Sequence, residues 1–287
     1  MTLKNLKRKV LLAHSPDADD AFMFYALAKG IVKSENLEFE HILKDIQSLN
    51  KEAETLKYDV QAISFFAYPD LEHNYQLLSC GGSMGYGYGP LLISKENITF
   101  QELKKIKDPV IAVPGEKTTA FLLLKLLLKD FQPIVIPFDK ILENVSSGKY
   151  PFGLVIHEGQ LSFKKSGLKK IIDLGEWWLG KTNLPVPLGG NVIKRALSNV
   201  EKTEINSLIR KSIIYGIENK EKVIPEIASY ARELSDSHTL INKFVSMYVN
   251  QFTVDYGNIG KIAIRKLYQM AFENGLIKKI PVLDFVE

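Results

Sequence analysis

The chain has 287 residues, 46% of them hydrophobic and 24% charged, with a formal net charge of +4. This is the mix of a globular protein large enough for two lobes or one large α/β domain, and it excludes an intrinsically disordered chain. The charge is spread without long runs of one sign, which excludes a polyanion-binding tail, and no nucleic-acid partner is expected.

The apolar run Lys9-Val-Leu-Leu-Ala-His14 predicts a first strand, closed by the turn Ser15-Pro16-Asp17. Asp19 and Asp20 stand ahead of Phe22, Phe24, Tyr25 and Leu27, and Gly30 stops the run, which are start and stop signals of a helix. Residues 37–43 alternate like a strand, 48–58 read as helical, and 59–64 form a short strand ending on the hydroxyl of Ser64. Strands at 75–80 and 90–94 flank a glycine-rich stretch. A second α/β series follows: strand 110–114, helix 118–129, strand 134–137, helix 139–147 and strand 154–157. Residues 171–174, the pair Trp177-Trp178 and the run 186–193 close this middle section, and helices are predicted at 205–218, 220–234, 239–250 and 257–274.

Strands alternating with helices predict mainly parallel sheets. The best lobe boundaries lie near 94–100 and 186–195, giving a larger α/β lobe of residues 1–95 plus 191–287 and a smaller inserted lobe of 96–190. The lone cysteine, Cys80, excludes an intrachain disulfide and a cysteine-based metal cluster. The basic N-terminal segment has too short an apolar run for a secretory leader, and no stretch approaches the ~20 apolar residues of a membrane span. A cytoplasmic protein without a membrane partner is therefore expected, as a monomer or homodimer.

The segment Gly153-Leu-Val-Ile-His157-Glu158 carries the strongest chemical signal. In open α/β sheets ligands bind beyond the carboxyl ends of strands, and a histidine there can exchange protons at neutral pH. The residues alone equally admit a hydrogen-bonded core histidine with a solvated carboxylate beside it. His14 ends the first strand in the same way, so two imidazoles are candidates for one crevice. Asp19 and Asp20 read as helix-start carboxylates, with Ser15 and Asp17 lining the crevice. Pro114-Gly115-Glu116-Lys117-Thr118-Thr119-Ala120 fails as a phosphate loop because Glu116 separates glycine from lysine. The free N–H groups of the helix that opens at Thr118-Thr119 nevertheless suit a carboxylate. Tyr86 and Tyr88, set among glycines, could stack on a flat ligand or simply shape a turn, and Trp177-Trp178 reads as packing. His41, His73, His157 and His238 show no metal-ligand spacing, so neither a metal nor another cofactor is expected.

An ordered series of segments resembles one family, 1,4-dihydroxy-6-naphthoate synthase of the futalosine route to menaquinone. It comprises Ser15-Pro16 with Asp20-Ala-Phe-Met-Phe-Tyr-Ala-Leu27, Ala62-Ile63-Ser64, Gly87-Tyr-Gly-Pro-Leu91, Ala112-Val-Pro-Gly115 with Thr118-Thr-Ala120, Gly153–Glu158, Asp173–Trp178, Leu184–Gly189 and Tyr248-Val-Asn250. The resemblance implies a type 2 periplasmic-binding-protein-like fold with a ligand cleft between two lobes. It also implies a cofactor-independent lyase that splits cyclic dehypoxanthinyl futalosine, a carboxylated small molecule, into the naphthoate and dihydroxyacetone. It makes His157 the proton acceptor and Ala62, Ile63, Ser64, Thr119 and Ala120 ligand-lining residues, to which the reading above adds Thr118, Ser15 and His14. The turn Ser15-Pro16-Asp17-Ala18-Asp19 departs from the Ser-Pro-Cys-Pro-Asn of some members. The rival expectation is a small-anion solute-binding protein without catalysis.

Overall fold

A computed structural model, which describes residues 7–286, contains two mixed β-sheets with helices packed around them. The first six residues, part of the segment weighed as a leader, lie outside the described residues.

The first sheet holds β1 (Arg8–His14), β2 (Leu37–Leu43), β3 (Val60–Ser64), β4 (Tyr75–Leu78) and β5 (Ser83–Gly85). The second holds β6 (Leu91–Ser94), β7 (Val110–Val113), β8 (Gln132–Val135), β9 (Phe152–Val155) and β10 (Lys169–Asp173) in the order β10-β6-β9-β7-β8. The chain then returns to the first sheet with β11 (Val186–Lys194) and β12 (Phe285–Val286), completing the order β12-β4-β11-β3-β1-β2, with β5 paired to β11. Burial follows position: every residue of the interior strands β3 and β9 is buried, whereas β8 and β10 at the edges carry exposed residues.

Sheet membership changes between β5 and β6 and again between β10 and β11, so the division expected at 95/96 and 190/191 is shifted. β6 belongs with the inserted sheet and the start of β11 with the first. The strands at these crossings also break the expected parallel pattern. β6 pairs antiparallel with β9, Leu91 opposite Val155, and β11 pairs antiparallel with β3, Gly189 opposite Ser64. The physical reason is connectivity. A strand delivered by a crossover helix ends at the cleft, while a strand entering from the other lobe starts there and must run the opposite way. At the crossings the backbones touch: a Cβ on Gly175 would lie 2.1 Å from the carbonyl of Tyr88, so no side chain fits.

The helix Ala18–Ala28 and the long helix Asn199–Glu218 pack on the first sheet, with Phe22, Phe24, Ile205, Ile209 and Ile213 buried in one core cluster. The region 220–234, expected as one helix, is a helix at Lys220–Glu226 followed by two short 3₁₀ turns, Ala228–Tyr230 and Arg232–Leu234. Pro225, which cannot donate a backbone hydrogen bond, stands at the break. Among the described residues no helix is long and apolar enough to cross a membrane.

Candidate active site

β1, β3, β7 and β9 all end at a cleft between the two sheets, where a cavity of about 110 Å³ opens. Ser15, Ala62, Ile63, Ser64, Thr118, Thr119, Ala120 and His157 all line it, bringing together segments more than a hundred residues apart.

His157 lies two residues past β9, in a left-handed conformation with φ 56°. Its Nδ1 is 3.0 Å from Asp17 Oδ2, and the other oxygen of that carboxylate is 3.0 Å from Arg232 Nη2. Asp17 is fully buried and also accepts the hydroxyl hydrogen of Ser15. A carboxylate can only accept, so the closeness of Asp17 favours the tautomer with its proton on Nδ1, which leaves Nε2 as the basic nitrogen. Nε2 is enclosed and has no protein partner. Burial lowers the His157 pKa, opposed by the attraction of Asp17 and reinforced by Arg232. The imidazole is therefore neutral near pH 7, the form a proton acceptor requires.

Three more carboxyl groups crowd this end of the cleft. Burial, with Asp20 and Asp17 adding repulsion, raises Asp19 well above the carboxylate range. Burial also raises Asp20 to about 7, although its Oδ2 accepts the Ser15 N–H at 2.6 Å. Glu158 rises to about 8 through burial and the charges of Asp17 and Asp19, and its Oε1 accepts the Ala18 N–H at 3.2 Å. Like charges in a dry site cannot all ionise together, so protonated carboxylic acids, which donate hydrogen bonds, persist here at neutral pH.

A different wall is built around Ser64 and the start of the helix Thr119–Leu127. Asn50 accepts the Ser64 N–H at 2.8 Å and donates to the Ser64 hydroxyl at 3.0 Å and to the Lys117 carbonyl at 3.4 Å, tying the two lobes together. Thr118 caps the helix by accepting the Phe121 N–H at 3.2 Å. The N–H groups of Thr119 and Ala120 precede the first intrahelical bond and favour an anion. Thr119 donates to the Leu188 carbonyl at 2.5 Å and accepts from Phe66 N–H at 3.2 Å, which fixes this turn against the first lobe.

A family described as menaquinone biosynthesis matches residues 10–273 of this chain. The chain belongs to that family. It is 34% identical over 275 residues to the 1,4-dihydroxy-6-naphthoate synthase of Thermus thermophilus, covering 96% of this chain and 98% of that one. A crystal structure of a protein from Archaeoglobus fulgidus superposes with a TM-score of 0.88 at 43% identity, over 94% of this chain and 98% of that one. The ligand-binding component of an ABC-type import system from Staphylococcus aureus, in a crystal structure with zinc bound, gives a TM-score of 0.69 at 13% identity, over 98% and 97% of the chains. That likeness establishes the two-lobed fold of the periplasmic binding proteins.

One expected site residue of this menaquinone-biosynthesis family member lies elsewhere. His14 does not line the cleft: it is 4% exposed, its Nε2 is 3.0 Å from His41 Nδ1, and its Nδ1 is 3.0 Å from the Ser15 carbonyl. Its ring packs 4.5 Å from Phe24, and burial, with His41 beside it, pushes its pKa to about 3. It is a core histidine. Asp19 and Asp20 are not caps of the usual kind either; Asp17 holds the N-cap position but makes no side-chain capping bond, its carboxylate being committed to Ser15, His157 and Arg232. Tyr86 is exposed, while Tyr88 donates to the Met247 carbonyl and packs edge-on against Tyr248, outside the cleft. Trp178 is fully buried and donates to the Pro185 carbonyl at 3.0 Å. Arg232, Asn50 and the pair Tyr248–Gln160, in which the phenol donates to Gln160 Oε1 at 2.6 Å, were not expected from the sequence as site residues. A break in the helical pattern at Pro225 was the one available sign that Arg232 belongs to irregular backbone. Among the described residues no group of three or more His, Cys, Asp or Glu is arranged to hold a metal ion.

Proposed function

We propose that the chain is a carbon–carbon lyase that converts cyclic dehypoxanthinyl futalosine into 1,4-dihydroxy-6-naphthoate and dihydroxyacetone, with no metal or organic cofactor. Family membership and the near full-length likeness to a naphthoate synthase support the reaction class. The observation that carries the reading is the Asp17–His157 pair at 3.0 Å, which orients an imidazole that burial keeps neutral and leaves its Nε2 without a protein partner.

In this reading His157 Nε2 takes a proton from the substrate, electrons move into a carbonyl, and the carbon–carbon bond to a three-carbon unit breaks, as in a retro-aldol fragmentation. The N–H groups of Thr119 and Ala120 and the hydroxyl of Ser64 hold the substrate carboxylate. The protonated carboxyl groups around Asp17 supply hydrogen-bond donors to oxygen atoms that gain charge. Closing the lobes excludes water from the intermediates.

Incubating the purified protein with cyclic dehypoxanthinyl futalosine and following the naphthoate by chromatography tests the proposal. Product should accumulate over many turnovers, and should still do so after exhaustive chelator treatment. Saturable binding without any product would replace the lyase with a small-anion binding protein.

A further inference from the structure

A smaller cavity of about 40 Å³ adjoins the cleft, lined by Phe138, Leu142, Ile156, His157, Glu158 and Arg232 among others. Ile156 and His157 line both spaces, while Ser64 and Thr118 to Ala120 line only the larger. Two of the side chains that line the small cavity each carry an enclosed polar atom without a protein partner, His157 Nε2 and Arg232 Nη1. Both residues also hold left-handed backbone, with φ 56° and 44°, a conformation that such side chains keep only where the surroundings enforce it. The Phe138 ring clamps the pair, 4.7 Å from the imidazole and 4.3 Å from the guanidinium carbon. Strain, clamping and unpaired polar atoms thus coincide at one place.

The charges select the occupant. Asp17, 3.0 Å away, already balances Arg232, and the remaining ionisable groups nearby, Asp139, Glu158, Asp19 and Asp20, are all acidic. A second anion would be repelled. An uncharged fragment rich in oxygen can accept from Arg232 Nη1 and from a protonated Glu158, and can donate a hydroxyl hydrogen to His157 Nε2.

We propose that this small cavity is a subsite for a short, uncharged hydroxyketone or polyol fragment held by Arg232 and His157. Together with the anion-favouring helix start at Thr119, it sets which end of the substrate meets the base. The proposal rests on the lyase reading, in which that fragment is the departing three-carbon unit.

The test is titration of protein carrying ¹⁵N-labelled histidine with freshly dissolved dihydroxyacetone, following the His157 ring nitrogens by NMR. His157→Gln assigns the signal. The wild type should show a saturable shift, at least fivefold weaker in affinity in Arg232→Gln and in Arg232→Lys, with naphthoate binding held within about twofold. Should the glutamine variant fail to fold, the lysine variant, which keeps the charge but loses the planar fork, gives the same comparison. Equal responses in the wild type and a folded variant, an unmoved His157 signal, or displacement of dihydroxyacetone by acetate would each overturn the subsite. Turnover of the futalosine substrate with an unmoved His157 signal removes the subsite and leaves the lyase. A shift without any turnover removes the lyase and leaves the subsite.

Discussion

Replacing Asp17 by asparagine probes the arrangement most directly. The carboxylate stands 3.0 Å from His157 Nδ1 and 3.0 Å from Arg232, with no exposed surface of its own. An amide can turn its NH₂ toward Nδ1, favouring the tautomer whose proton sits on Nε2, which cannot accept. A hydrogen bond to a charged group is worth about 1.5–3 kcal/mol, so kcat/KM should fall by roughly 10- to 150-fold. The pH profile adds a sign. Asp17 raises the His157 pKa against the effect of burial, so its removal should carry the acid limb of activity to lower pH. Stability should change less than activity. Arg232 loses its partner, but its side chain is 30% exposed and can turn to water, and relief of repulsion at Asp19 and Glu158 works the other way. A net loss within about 2 kcal/mol is expected, below the 3–5 kcal/mol of breaking a fully buried pair. The measurements are naphthoate formation across pH 5–9 and thermal unfolding of both proteins. Near-normal kcat/KM with an unmoved acid limb would refute the orienting role of Asp17.

His157→Gln should lower turnover at least about 100-fold, with naphthoate binding, read by calorimetry, changed by less than about tenfold; a variant at nearly normal rate would remove His157 as the base. Glu158→Gln should flatten the pH dependence of stability. A carboxyl group whose folded pKa is raised to about 8 stabilises fully below the unfolded value near 4.5, and that contribution is lost as pH rises through the folded value. The melting temperature of the wild type should therefore drop more between pH 5 and pH 8.5 than that of the variant; parallel curves would show that Glu158 ionises normally. Gly175→Ala places a Cβ 2.1 Å from the Tyr88 backbone at a lobe crossing, where neither chain can yield cheaply. It should cost at least about 2 kcal/mol in denaturant unfolding, and an unchanged midpoint would mean that the crossing is loose.

Much of this fold is written in uninterrupted apolar runs, and those of β1, β3, β7 and β9 also place the cleft, since such strands end where ligands bind. What escaped the sequence was direction and length. The crossing strand β6 reads like any other apolar strand, and the Pro187, Gly189, Gly190 and Asn191 of β11 give no sign of direction, so nothing local marks their reversal. β5 and β12, of three and two residues, are too short to show any period. His14 was legible in principle. Side chains alternate across a strand, so residue 14 shares a face with Val10 and Leu12, and those pack in the core with the helix Ala18–Ala28. The alternation of a strand's two faces thus excluded its last residue from the cleft.

The acidic turn shows why a correct local reading still missed the chemistry. Carboxylates at residues 17, 19 and 20 suit the start of a helix, whose N–H groups and dipole favour negative charge within the first turn. That explains how three acidic residues can begin a buried helix, and the sequence sets Asp17 at the crevice without naming a partner for it. Only the approach of β9 and of the turn at Arg232–Leu234 converts Asp17 from a helix-start residue into the partner of both His157 and Arg232. Both partners are more than a hundred residues away, and both are set by left-handed backbone that their residue types do not announce. The helix start makes the buried carboxylates tolerable, and the two distant loops decide what they do.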